Sequence, residues 1–206
     1  GVILITTKKG TAGSPLTVSY DGSVSVANAI AFVDVYSGDE IRQLALEKKE
    51  LFGIDNLNLL GTQNTNWQKE IFRAAVSHDH NLSLAGSVNA LPYRFSVGYT
   101  DENGILKNTD MQRFTGSLSL NPTFFNNRLK VNMNLKGMNT HHNYGDAGAI
   151  GSAVNMDPTQ VIYDGNVNSA GYFQWANYGA NLGTANPVEQ ALAADNRSVV
   201  NRVIGN

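Results

Sequence analysis

The first side chains able to do chemistry are His78 and His80, two residues apart with Asp79 between them. On a strand, that spacing sets both imidazoles on one face, where neutral ring nitrogens can bind a metal. No third ligand accompanies them, so they read as interfacial histidines near a strand end. His141 and His142, with Asp146 nearby, read as loop polarity in the same way. The glycine-rich GDAGAIG string lacks the preceding buried strand and the Lys-Ser/Thr ending of a phosphate loop. Asp39, Glu40, Glu47 and Glu50 could be imagined as acid/base pairs, but helix capping and a solvated helix face account for them. No G-x-S-x-G elbow presents a serine nucleophile. With zero Cys in the chain, thiolate chemistry and disulfides are excluded. No catalytic residue, metal or cofactor is expected.

Binding is the more promising chemistry. Residues 172–178 read Tyr-Phe-Gln-Trp-Ala-Asn-Tyr. An exposed loop with Trp and Tyr among amides can stack on sugar rings or anchor a protein partner. Tyr172, Trp175 and Tyr178 are therefore the candidate contact residues. Asp157-Pro158-Thr159 is read only as a turn.

The elements that must position these residues are strands. Leu16, Val18, Tyr20, Val24 and Val26 alternate with Thr17, Ser19, Asp21, Ser23 and Ser25. That period of two gives a strand with one apolar and one polar face. The same rhythm returns at 76–86, 91–100, 113–120 and 128–137, and a last strand starts near Arg197. Long and short joins alternate: about fifty residues from Val26 to Val76, about three after Ser87, an intermediate join from Asp101 to Asp110 around Glu102-Asn103-Gly104, a short turn at 121–127, and about fifty-five from Met138 to Arg197. In an up-and-down antiparallel sheet, alternate joins share an end, so the long loops gather at one end and tight turns at the other. The first long loop holds helices. Ser37 and Glu40 form a capping box, an apolar run follows to Gly53, and a shorter helix covers 66–73. The second long loop has no clear period beyond a helical turn at 149–155.

Composition narrows the solvent that the apolar face meets. The net charge of −2 points to no nucleic-acid or anionic-surface partner. Only 16% of residues are charged, against ~25% in typical soluble domains. No stretch approaches the ~20 apolar residues of a membrane helix. The polar faces are rich in Asn, Ser, Thr and Lys, and aromatics gather toward strand ends, as in the girdles of outer-membrane barrels. Pattern alone leaves two readings standing: a membrane barrel wall, or a secreted β-sandwich recognising glycans through its loops.

The chain opens on GVILITTKKG, without an initiator Met. This apolar run closing on Thr, Lys and Gly reads as a buried strand reaching a turn, and it predicts a piece of something larger. The stretch resembles the end of the plug domain in TonB-dependent outer-membrane transporters, specifically the SusC/RagA branch. Further matches follow in order: VSYDGSVSVA, NTNWQKEIFR, SHDHNLSLAGS, LPYRFSVGYTDENGILKNTD, RFTGSLSLNPTFFNNRLKVNMNLKG, GAIGSAVNMDPTQVIYD and NPVEQ, the last leading into a sixth strand. The resemblance covers essentially the whole chain. It implies an all-β fold: antiparallel up-and-down strands from a transmembrane β-barrel, here about six of about 22, with short helices in the first long loop. It implies that 1–10 ends the plug and 15–206 belongs to the barrel, with loops 27–75 and 139–196 extracellular. Implied too are import of oligosaccharide or peptide, a SusD-like lipoprotein lid, and the TonB complex reached through a preceding segment. Outer-membrane lipid around the wall and location in the outer membrane of a Gram-negative bacterium complete the expectation. A passive porin-like barrel is the remaining alternative. Six strands cannot close a barrel, whose smallest common form has about eight, so the isolated piece is expected to self-associate or refold.

Overall fold

The computed structural model describes residues 8–53, 57–89, 91–126, 128–180 and 183–206. Most of the opening run, residues 1–7, lies outside the described residues. Six strands form one antiparallel sheet in chain order: β1 (Thr17–Ala27), β2 (Ala75–Val88), β3 (Leu91–Asn103), β4 (Asp110–Leu120), β7 (Met133–Asn143) and β8 (Arg197–Gly205). Each strand pairs with the next, which is the up-and-down meander predicted by the joins.

Register keeps like with like across the sheet. Val18 lies opposite Leu84, Leu84 opposite Phe95, Phe95 opposite Leu118 and Leu118 opposite Leu135. Directly paired residues share a face, so the apolar positions of all these strands gather on one side. On the other side Ser19, Ser83, Ser96, Ser117 and Lys136 form the matching row. There Ser96 and Ser117 hydroxyls meet at 2.7 Å, Arg94 donates to Ser83 Oγ at 3.0 Å, and the Thr100 hydroxyl donates to Asp79 at 2.6 Å. The apolar side has no protein cover among the described residues: Val24 is 70% and Val203 75% exposed, and Phe95, Val97, Phe114 and Leu135 are exposed as well. A β-sandwich would lay a second sheet over this side. The only other sheet among the described residues is the small hairpin of β5 (Thr123–Phe124) and β6 (Leu129–Lys130).

That hairpin corrects the predicted strand at 128–137. Phe125 and Asn126 take left-handed backbone at φ 53° and 55°, which turns the chain back and pairs Thr123 with Lys130. The alternation misled because β6 and β7 are both two-faced and nearly contiguous. At its far end β7 runs through His141 and His142, which are therefore strand residues and not loop residues.

The joins at the other end of the sheet fold into a helical cap. In the first join lie α1 (Gly38–Glu47), α2 (Lys49–Phe52) and α3 (Trp67–Ile71). Ser37 and Glu40 form the predicted capping box, with Ser37 N donating to Glu40 Oε2 at 2.8 Å. The single predicted run to Gly53 is broken at Lys48, and nothing in the sequence explains the break. Helices also occur in the third join: α4 (Gly148–Asn155) is the expected helical turn, and α5 (Pro187–Ala193) goes beyond the expectation. Asn186 caps α5 and Pro187 occupies its first turn, a start signal passed over when NPVEQ is read only as the lead into the sixth strand. One buried cluster joins these pieces: Trp67 and Ile71 of α3, Leu106 from the β3–β4 turn, Ala149, Ala153 and Met156 around α4, Phe173, Trp175, and Val188 with Ala191 of α5. Among the described residues, this buried apolar cluster thus sits in the joins, not on the sheet.

Candidate functional site

The first and third joins meet along a seam of hydrogen bonds. Gly61 N donates to Thr159 Oγ1 at 2.8 Å and Gln63 N to Thr159 O at 3.0 Å. Thr65 N reaches Pro158 O at 2.8 Å, and its hydroxyl donates to Gln160 O at 2.6 Å. The Trp67 indole donates to Asp157 O at 2.9 Å. Two features of the sequence make this possible. Asp157 folds its own turn by accepting the Thr159 N–H at 2.8 Å, which aims the following backbone at the first join. Gly61 lets that backbone come close, since a Cβ there would collide with Thr159 O. The Asp-Pro-Thr turn predicted from the sequence is present, and it also fastens one loop to the other.

Above the seam lies a cleft of about 820 Å³. Its floor is buried and mainly apolar: Trp67, Ala153, Met156 and Trp175. Its rim is exposed and polar, with Asp34, Tyr36, Asn64, Asn66 and Asn155. The chain at 31–36 runs irregularly along one side, held by the Gln68 amide. Gln68 accepts from Val33 N at 2.9 Å and donates to Val33 O at 2.8 Å. Sequence reading did not pick out this cleft. Its walls come from residues about ninety positions apart, and only the seam brings them together.

The predicted contact residues divide. Trp175 is 5% exposed and packs edge-on to Phe173 at 5.0 Å, so it is part of the floor and not an open platform. Polar neighbours in sequence suggested exposure, but the ring inserts among α3, α4 and α5. Tyr178 stays exposed; it stacks on Phe173 at 5.2 Å and donates its hydroxyl to Asp164 at 3.1 Å, which raises its pKa. Tyr172 is half-buried 4.9 Å from Tyr163, and burial pushes its phenol up.

The remaining candidates are placed elsewhere. His78 and His80 share the apolar face of β2, with rings 5.1 Å apart. His80 Nδ1 is 2.6 Å from the Tyr20 hydroxyl, and His78 packs beside Tyr99. His141 and His142 are neighbours on a strand, so they face opposite sides and do not converge on Asp146. Asp146 instead accepts the Gly148 N–H at 2.7 Å, ahead of α4. Asp39 pairs with Arg42 and accepts from Asn64, and Glu47 accepts from Gln43 along the same helix. Glu40 is held below the ordinary carboxylate value, first by the Ser37 backbone N–H and then by the Ser37 hydroxyl.

A two-faced meander with long joins capping one end defines a class: β-barrel wall with its long loops at one rim. The relatives agree. The chain is 48% identical over 191 residues to TonB-dependent receptor SusC of Bacteroides thetaiotaomicron, covering 91% of this chain. It is 29% identical over 185 residues to TonB-dependent receptor P3 of Formosa agariphila, covering 83% of this chain. The chain spans 18% of the length of each of these two relatives. No family profile matches it. In fold it is similar to the RagAB peptide transporter, with a TM-score of 0.58 at 15% identity over 88% of this chain and 24% of that one. It is also similar to the RagAB peptide importer in its closed-closed state, with a TM-score of 0.54 at 19% identity over 68% of this chain and 19% of that one. The chain belongs to the TonB-dependent receptors, in the SusC/RagA branch.

Proposed function

We propose that this chain supplies lumen wall and external recognition surface to an energy-coupled nutrient importer in the outer membrane of a Gram-negative bacterium. Residues 1–10 close the plug and 15–206 begin the barrel, with the helical cap outside the cell. The cargo is an oligosaccharide or a peptide, a SusD-like lipoprotein covers the cap, and the TonB complex draws on the plug from the periplasm. Passage and recognition, not bond-making, are this segment's work. Tyr172 and Tyr178 serve as contact rings for cargo or lid, and Trp175 supports them from the floor of the cleft.

One observation carries the reading: an exposed apolar face backed by a face of hydroxyls and amides over the same strands. Lipid is the solvent that suits the first, and an aqueous bore suits the second. The names of the relatives support receptor and importer roles. The test is uptake of labelled oligosaccharides and peptides by cells carrying the full-length receptor, with and without a protonophore. Energised accumulation of at least one cargo is expected. Uptake that is unchanged by the protonophore would favour the passive-barrel alternative.

A further inference from the structure

We infer that residues 8–14 form a releasable strap, which peels off the wall when the plug is pulled and gives it slack without disturbing the barrel. The inference rests on the importer reading, with the plug ahead of the strap and the short turns in the periplasm. The strap crosses the feet of several strands instead of pairing along one. Lys9 Nζ donates to Asn132 Oδ1 at 3.2 Å, just ahead of β7. That oxygen also accepts from Asn121 Nδ2 at 2.9 Å, and Asn121 Oδ1 accepts from the Ser119 hydroxyl at 3.2 Å. Ser119 lies opposite Arg94 and Asn134 on the polar side of the sheet, so the strap starts on the side of the bore. Gly10 comes next, so close to β3 that a Cβ there would collide with the Tyr93 backbone. The chain then turns, with the Ser14 hydroxyl donating to Thr11 O at 2.7 Å and Gly13 in left-handed backbone at φ 72°. Ser87 N, near the end of β2, donates to Ser14 O at 3.1 Å, and β1 begins at Thr17.

What holds the strap is slight beside what holds β1. None of residues 8–14 is buried. Among the described residues, their hydrogen bonds to the rest of the chain are the exposed Lys9–Asn132 bond and the Ser87–Ser14 bond. Bonds open to water contribute little, because water replaces a lost partner. β1 makes eleven register pairs with β2, from Thr17 with Ala85 to Ala27 with Ala75. Direction matters as much as number. A pull on the plug toward the periplasm lifts the strap's contacts one after another, at Asn132 first, then Tyr93, then Ser87. On β1 the same pull runs along the strand, across ladder bonds that stand perpendicular to it, and loads them together. The strap therefore gives way first, and β1 stays in the sheet. Residues 9–16 then supply about 2.5 nm of free chain, at roughly 3.3–3.6 Å per residue. Gly10 suits both states, since it seats close to β3 at rest and has no side chain to hold it there.

The experiment pulls full-length receptor in nanodiscs from its N-terminus by single-molecule force spectroscopy. Lys9→Cys and Asn132→Cys, placed together in a Cys-free background, are joined by a short bismaleimide and compared with the same variant unreacted. The final extension should be about 2.5 nm shorter after cross-linking. Equal extensions would overturn the inference, because the strap would then stay on the wall under load. Gly10→Ala, added to the pair, should lower the cross-link yield several-fold by unseating the strap; an unchanged yield would overturn the seating at Tyr93. Hydrogen exchange of β2, β3 and β4 checks that the wall is intact in each variant. In cells, cross-linking should abolish most of the energised uptake that the unreacted pair supports, and full uptake by the cross-linked receptor would overturn the role of the slack. Failure of the importer reading looks different: wild-type receptor then gives no energised uptake of any oligosaccharide or peptide, while the difference in extension remains.

Discussion

Asn186 gives the sharpest test of how the cap holds together. It is fully buried, and its amide is saturated. The oxygen accepts from Val188 N at 3.0 Å and Glu189 N at 3.3 Å, capping α5. The nitrogen donates to Ile162 O at 2.9 Å and Phe173 O at 3.2 Å, tying the aromatic segment to that helix. Asn186→Ala removes the cap, worth about 1 kcal/mol, and strands the Phe173 carbonyl at about 1–3 kcal/mol, while Ile162 O keeps the Phe173 N–H at 3.1 Å. A local loss of about 3 kcal/mol follows. The assay is hydrogen exchange of the full-length receptor in detergent or nanodiscs, with β3 and β4 as internal reference. A loss of 3 kcal/mol is about a 150-fold fall in protection, expected over 160–193 and absent from the strands. Asn186→Asp separates the two halves of the argument. Asp is as good a cap as Asn, but it offers no donor to the two carbonyls and buries a charge beside them. It should therefore be at least as damaging as Ala. An Asp variant that exchanges like wild type would refute the claim that the donated bonds matter.

Three further outcomes are expected. In a Cys-free full-length background, Val97→Cys and Leu118→Cys should react with a lipid-soluble maleimide and resist a charged one, while Ser96→Cys and Ser117→Cys should do the reverse; equal labelling of both sets would contradict a lipid-facing side. Trp67→Phe keeps an aromatic in the floor and drops the bond to Asp157 O, so protection along the seam should fall by about 1–3 kcal/mol; no change in exchange at 157–160 would mean the bond is immaterial. The first turn of α1 should loosen on acidification. Glu40 has a depressed folded pKa, so its contribution is present above the unfolded value and is lost as the pH falls through the folded one. Protection of residues 38–41 should hold at neutral pH, drop only below the ordinary carboxylate range, and become flat with pH in Glu40→Gln.

The sheet was legible because period two is a local property. Val18, Leu82, Val97 and Leu118 mark their face without knowledge of their partners, and register follows once like faces are matched. The capping box at Ser37 and Glu40 was equally local. The cap core was not legible. Its helices are as short as five residues in α3, too short for a 3.6-residue period to declare itself. Its members arrive singly from distant places, Trp67 from one join, Leu106 from a tight turn, Trp175 and Val188 from another. Nothing beside Trp175 in sequence tells that the ring is buried, because Trp67, its counterpart in the floor, lies more than a hundred residues away. The seam that forms the cleft has the same character, resting on backbone groups whose partners no side-chain pattern encodes.

The division between wall and cap has an energetic logic. Each exposed apolar side chain on the sheet would cost about 25 cal/mol per Å² to hold in water, and no protein layer covers them among the described residues. Hydrocarbon removes that cost without side-chain packing, so the wall needs alternation and register but little jigsaw fit. The cap, outside the cell on the proposed placement, has no such help, and it has a packed core, a stapled seam and a saturated Asn186. At Trp67 one side chain does both jobs, since the ring that floors the cleft also fastens the first long join to the third through Asp157 O.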